Sequence, residues 1–379
     1  MPTATPTQIP PTAIPIPAAT ATPTQIPPTA TPIPLATATP TQIPPAPTPT
    51  APPVIIPVTS GKKYTCEDKD TYKYCVSSEL AAPPAIPPET WGALVSFSPE
   101  VFCGTDVSDE VCELVASSLL AAMKAWGNYG PVEYWVVGPE VEALEKLANV
   151  NCQRRVDRGD YSDMDKCLEI QLDKTGEHTY KFEYYRAVSA GEVKSARGNT
   201  IGRSAGRNGN RHWGIHYFTS SFPGLGWGSQ KLVFHEYFHA VQHAHLQTKD
   251  YDERGSTRVR GPRFHIESSA DYMAFTALDQ AHRSGDLDVG STPYSYEETM
   301  EEILKIPGRP PYIWFYALLA HKFGHEVFLD VFYPNVEELG WEGSFVKAYG
   351  IPGREFHTEF VAFLDLPLDQ QLAILPKVD

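Results

Sequence analysis

Apolar side chains recur along this chain in helical and in alternating rhythms, and the first 60 residues follow neither. From residue 108, SDEVCELVASSLLAAMKAWG sets acids early and then apolar residues three and four apart, so an amphipathic helix is expected to start near Ser108. VEYWVVG (132–138) is rich in β-branched and aromatic residues and closes on Gly, which predicts a strand. PEVEALEKLANVNC (139–152) resumes a helical pattern with Pro in its first turn. YKFEYYRAV (180–188) and HWGIHYFTSS (212–221) read as two further strands, the second followed by a turn in FPGLGWGS. Beyond about residue 222 the pattern is helical to the C-terminus. The expected fold class is α+β, with a small N-terminal sheet and a mostly helical C-terminal half.

Composition divides the chain further. Residues 1–60 hold 19 of the 36 prolines and 15 threonines, with no Asp, Glu, Lys or Arg. TPTQIPP starts at Thr5, Thr22 and Thr39. A tract so rich in Pro and so poor in large apolar residues cannot offset its ordering entropy, and is expected to be an extended, disordered stalk, glycosylated or bare. Residues 61–190 read as a disulfide-containing α+β subdomain with an irregular, Pro-rich entry over 61–100. Residues 191–379 read as a second region, which carries the candidate chemistry. GNTIGRSAGRNGNR (198–211) carries three arginines but neither a P-loop nor a dinucleotide fingerprint, so a solvated loop is expected over a phosphate cradle.

The net charge of −15 argues against a nucleic-acid partner, which would need a Lys/Arg surplus. No run of 18 or more apolar residues appears, so no membrane-spanning helix is expected. Six cysteines fall in close pairs at Cys66/Cys75, Cys103/Cys112 and Cys152/Cys167, and three local disulfides are the expected pairing. Disulfides point to a secreted or cell-surface location, although nothing after Met1 has the form of a secretory signal. Six free thiols are the alternative.

The chemistry concentrates in KLVFHEYFHAVQHAHL (231–246), which contains His-Glu-x-x-His at His235, Glu236 and His239. On a helix, positions i and i+4 lie one turn apart on one face, so both imidazoles can reach one tetrahedral Zn²⁺ while Glu236 sits beside it as general base. Large apolar residues surround this polar stripe, and burying it without a partner costs several kcal/mol, on the order of the penalty for unpaired polar groups. Two core histidines bonded to backbone are the plain alternative. A third ligand has two candidates. His245 has the metzincin spacing, H-E-x-x-H-x-x-G-x-x-H, but Gln242 replaces the turn glycine. A continuing helix then carries His245 about 9 Å along the axis from His239. Glu267 and Asp271, four apart in the otherwise apolar FHIESSADYMAF (264–275), are the better candidates: one acid to ligate, the other to orient an imidazole.

With these residues the chain resembles the gluzincins, the thermolysin-like and aminopeptidase-like metallopeptidases of the peptidase MA group. The resemblance implies a zincin-like catalytic domain, with His235, His239 and Glu267 as zinc ligands, Glu236 as base and Asp271 behind a ligand. RPPYIWFYALLAHKFGHEVF (309–328) is similar to the helix following the third ligand, which implies that Tyr312 stabilises the tetrahedral intermediate, with Tyr316 as the other choice. WEGSFVKAYGIPGREFHTEFVAFL (341–364) resembles the terminal helical pair. The strand near residues 214–218 would be the sheet edge that pairs with extended substrate. Glu-Lys-Gly after the Tyr and the aminopeptidase G-x-M-E-N signature are absent, and the spacer between His239 and Glu267 is longer than in the best-known members. The expected function is hydrolysis of a protein, peptide or glycoprotein substrate by a zinc metallopeptidase. A non-catalytic adhesion module on the same fold and a zinc hydrolase of a non-peptide bond are the rival readings.

Overall fold

In the computed structural model the described residues are 63–84, 93–175, 181–193, 202–203, 215–221, 224–245, 261–288, 295–305 and 311–375. The repeat tract, most of the Gly/Arg-rich segment 198–211 and the stretch 246–260 lie outside them.

The architecture is α+β and is organised on a mixed six-stranded sheet of order β1-β2-β3-β4-β6-β5. Its strands are β1 (Tyr64–Asp68), β2 (Lys73–Ser77), β3 (Glu100–Cys103), β4 (Val132–Val137), β5 (Gly202–Arg203) and β6 (His216–Ser221). β3, β4 and β6 run parallel, while β1, β2 and β5 pair antiparallel to their neighbours. Every residue of β4 is buried because both faces of the sheet are covered, and period-two alternation sorts its side chains between two cores. Val101, Tyr134, Val136 and Phe218 join the larger core; Phe102, Trp135, Val137 and Tyr217 join the smaller.

Helix α1 (Asp109–Trp126) starts after Ser108, as its acidic first turn predicts, and lies on the larger-core face. α2 (Val141–Asp157) and α3 (Met164–Gln171) follow, α2 on the smaller-core face. Pro139 stands just outside α2 instead of within its first turn, since Glu140 is the capping residue and gives its N–H to Asp106 Oδ2 at 2.7 Å. The strand expected over residues 180–188 is instead helix α4 (Phe182–Ser189). Phe182 and Tyr185 are buried three apart, and Glu183 pairs with Arg186 at the same spacing, which suits a helix and not a two-faced strand. The irregular entry expected over 61–100 contains the β1–β2 hairpin and leads into β3, which starts at Glu100. Cys66 and Cys75 sit directly opposite each other in that hairpin.

All three neighbour disulfides form: Cys66–Cys75, Cys103–Cys112 and Cys152–Cys167. Beneath the sheet, Glu133 is fully buried and would be costly alone, but Arg154 and Arg158 of the α2 C-terminus reach Oε1 at 2.7 and 2.8 Å. Glu100 joins through Arg154.

From residue 224 onward every regular element among the described residues is a helix. α5 (Trp227–Ala244) is wedged between α1 and α6 (Arg263–Arg283), then come α7 (Tyr296–Leu304), α8 (Ile313–Phe323), a π-helical turn (Phe328–Phe332), α9 (Tyr333–Tyr349), α10 (Gly353–Leu364) and α11 (Leu368–Leu372). Strands end at Ser221, as the sequence pattern implies. The sheet takes strands from both sides of residue 190, and the described residues belong to one compact unit. Gly261, at φ 73°, leads into α6 where a Cβ would come within 2.2 Å of the Trp341 ring, so the entry to α6 requires glycine on both counts. Among the described residues no helix is long and apolar enough to cross a membrane.

Phe102 stacks on Trp135 at 4.1 Å in the smaller core, which packs on the sheet face opposite α5. Phe102→Ala is expected to cost about 3–5 kcal/mol in urea unfolding; a loss below about 1 kcal/mol would mean that this core does not hold the sheet as described.

Candidate metal centre

α5 is buried almost all round. Phe234 and Phe238 meet the Trp126 ring of α1 edge-on at 5.8 and 5.0 Å, and the Tyr237 hydroxyl donates to Gly127 O at 2.6 Å while accepting from Tyr129 N at 3.0 Å. These contacts fix the rotation of α5 about its axis. His235, Glu236 and His239 are then held together at 7–8 % exposure, with one donor atom of each within 4.8 Å of the others. This group is able to hold a metal ion.

α6 crosses alongside and adds the two acids singled out in the sequence. His235 Nε2 and His239 Nε2 lie 3.2 Å apart, and Glu267 Oε2 lies 3.4 Å from the first and 3.7 Å from the second. Asp271 stands behind His235, with Oδ1 at 2.8 Å from Nδ1. The same oxygen pairs with Lys231, one turn before His235 on α5, whose ammonium lies 5.0 Å over the Phe275 ring. Behind His239 stands Gln242, its Oε1 2.7 Å from Nδ1. The Glu267 side chain is 63 % exposed, so the cluster opens to solvent on that side.

The charges follow from these contacts. Burial opposes a proton on His235, but the Asp271 and Glu267 carboxylates outweigh it and lift its pKa to about 9. Glu267 is held well below the usual carboxylate range, first by its contact with His235. Burial by itself would raise Asp271, yet His235 and Lys231 together hold it low. Glu236 is pushed up by burial.

Other residues named from the sequence lie elsewhere. His245 caps α5 between the rings of Tyr129 and Tyr333, at 5.6 and 5.9 Å, and burial drops its pKa to about 4. Tyr316 is enclosed in the core and pairs with His265. Tyr312, half-buried at the start of α8, stacks at 4.1 Å on Phe264, one helical turn before Glu267. β6 is not the outermost strand: β5 pairs with it at His216 and Tyr217, and among the described residues Phe218–Ser221 has no partner strand on that side. Lys231 and Gln242 were not singled out as functional from the sequence. The available signal was their spacing, four before His235 and three after His239, on the same helical face.

No family model, curated protein or solved structure matches the chain. The site therefore stands on its own geometry.

The His235 shift gives a pH dependence for the metal-free chain. A folded pKa of about 9 against 6.5 means the stabilisation is fully present below 6.5 and is lost as pH rises through 9. Urea unfolding in chelator is expected to show a loss on the order of 1–3 kcal/mol across that window, reduced in Asp271→Asn. A profile identical in the two proteins would contradict the assigned partner.

Proposed function

We propose that this chain is an exported zinc metallopeptidase of gluzincin type. The observation that carries the reading is the triangle of His235 Nε2, His239 Nε2 and Glu267 Oε2, with sides of 3.2, 3.4 and 3.7 Å. Three donors held by one tetrahedral ion at 2.0–2.1 Å stand roughly 3.3 Å apart, so the spacing fits a single zinc. Two neutral nitrogens and one carboxylate oxygen are also a zinc donor set, and all six cysteines are committed to disulfides. The exposed side at Glu267 leaves a fourth direction open, which favours a catalytic over a closed structural site. The three disulfides support export to an oxidising compartment.

Zinc held there would supply Lewis acidity to a carbonyl oxygen and to water. The chain's own residues do the rest. Glu236, raised by burial, accepts a proton from the attacking water at its carboxylate and passes it to the leaving amine nitrogen. Asp271 keeps the His235 proton on Nδ1, leaving Nε2 free to ligate. Tyr312, stacked on Phe264 one turn before Glu267, is assigned to stabilise the developing oxyanion by a hydrogen bond from its hydroxyl. Among the described residues β6 has no partner strand on that side beyond Tyr217, an edge that suits an extended peptide and is the feature favouring peptide over other bonds.

Metal analysis and peptide hydrolysis by the full chain test this together. One zinc per chain is expected in the wild type. Glu236→Gln is expected to keep the zinc and lose about 10²–10⁴-fold in kcat, Tyr312→Phe to keep the zinc and lose about 10²–10³-fold, and Glu267→Ala to lose the zinc. Zinc bound with no hydrolysis across a peptide panel would leave a binding module or a hydrolase of another bond; no zinc at all would overturn the reading.

A further inference from the structure

Gln242 occupies the position where the metzincin pattern has its glycine, and its side chain is fully engaged. Only 4 % exposed, it meets His239 Nδ1 with Oε1 at 2.7 Å, and its Nε2 donates to Ile266 O at 3.0 Å and to Ser269 Oγ at 2.9 Å. These contacts settle a proton. A backbone carbonyl only accepts, so the amide nitrogen must face Ile266 and the amide oxygen must face His239. An amide oxygen also only accepts, so Nδ1 of His239 must carry the hydrogen. That leaves the Nε2 lone pair turned toward His235 Nε2 and Glu267 Oε2. The same amide grips α6 on both sides of Glu267, at Ile266 and Ser269, and so ties the helix bearing the third donor to the helix bearing the first two.

We infer that Gln242 is the positioning residue of the centre, setting the tautomer and rotation of His239 and the placement of Glu267 through one amide bridging α5 and α6. This rests on the metal reading given above. The two imidazoles are supported differently: His235 by a carboxylate shared with Lys231, His239 by a neutral amide whose own orientation is dictated by a backbone carbonyl.

The test uses the full chain, stripped of metal and reloaded. Gln242→Leu keeps much of the volume and removes the three contacts. Competition with a chromophoric chelator is expected to show zinc affinity lower by about 10–100-fold than in the wild type. The Co²⁺-loaded variant is expected to show shifted visible absorption bands, which a loss of packing remote from the ion would not produce. In the metal-free wild type, long-range ¹H–¹⁵N correlation is expected to place the His239 hydrogen on Nδ1; this needs no variant and decides the matter even if Gln242→Leu does not fold. A hydrogen on Nε2, or zinc affinity and Co²⁺ bands unchanged in Gln242→Leu, overturns the inference and leaves the zinc reading standing. Absence of zinc binding in the wild type instead overturns that reading, and with it this inference.

Discussion

Two imidazole nitrogens cannot face each other at 3.2 Å with both lone pairs bare. His235 Nε2 and His239 Nε2 do stand at that distance, with a carboxylate oxygen of Glu267 closing the triangle. Asp271 and Gln242 Oε1 hold the ring hydrogens on the two Nδ1 atoms, so both lone pairs face inward and a positive charge, an added proton or cation, has to lie between them. In the metal-free chain a proton on His235 supplies it, held there against the cost of burial by the Asp271 and Glu267 carboxylates that lift that residue to about 9. A divalent ion supplies it better, since it satisfies three donors where a proton satisfies two. Much of the surrounding structure serves to hold these donors where rotation of the imidazoles cannot relieve the conflict.

The fold achieves this with rigid elements. α5 is clamped on one side by Trp126 and by the Tyr237 hydrogen bonds to the end of α1, and on the other by α6. All the donors project from helices, where rotamers and axial positions are fixed by packing. α1 is in turn seated on a sheet buried on both faces, and the arginine–glutamate cluster beneath β4 makes burial of that second face tolerable. One disulfide closes the β1–β2 hairpin, one ties β3 to α1 and one ties α2 to α3. The solvent side at Glu267 is left open.

Local chemistry was legible in the sequence where one helix carries it whole. The i, i+4 spacing of His235 and His239 is a property of one turn, and so is that of Glu267 and Asp271; both pairs lie on the helices their spacing implied. Neighbouring cysteines paired as proximity suggested. What the sequence hid depends on partners far along the chain. Gln242 read as a missing glycine, because its meaning lies in Ile266 and Ser269 on another helix. Lys231 gave no signal beyond its spacing, because its partner Asp271 is forty residues away. Residues 180–188 looked like a strand because aromatic side chains dominate the segment, yet the smaller core uses Phe182 and Tyr185 at helical spacing. The strands of residues 64–103 are only four or five residues long, too short to show a periodicity, and pair in series, β1 on β2, β2 on β3 and β3 on β4.

X-ray absorption spectroscopy of the zinc-loaded full chain examines the central claim with least intervening inference. The account predicts one bound ion with nitrogen and oxygen neighbours at about 2.0–2.1 Å, outer-shell scattering from two imidazoles, and no sulfur. A zinc shell with sulfur, with a single imidazole or with water alone would contradict it.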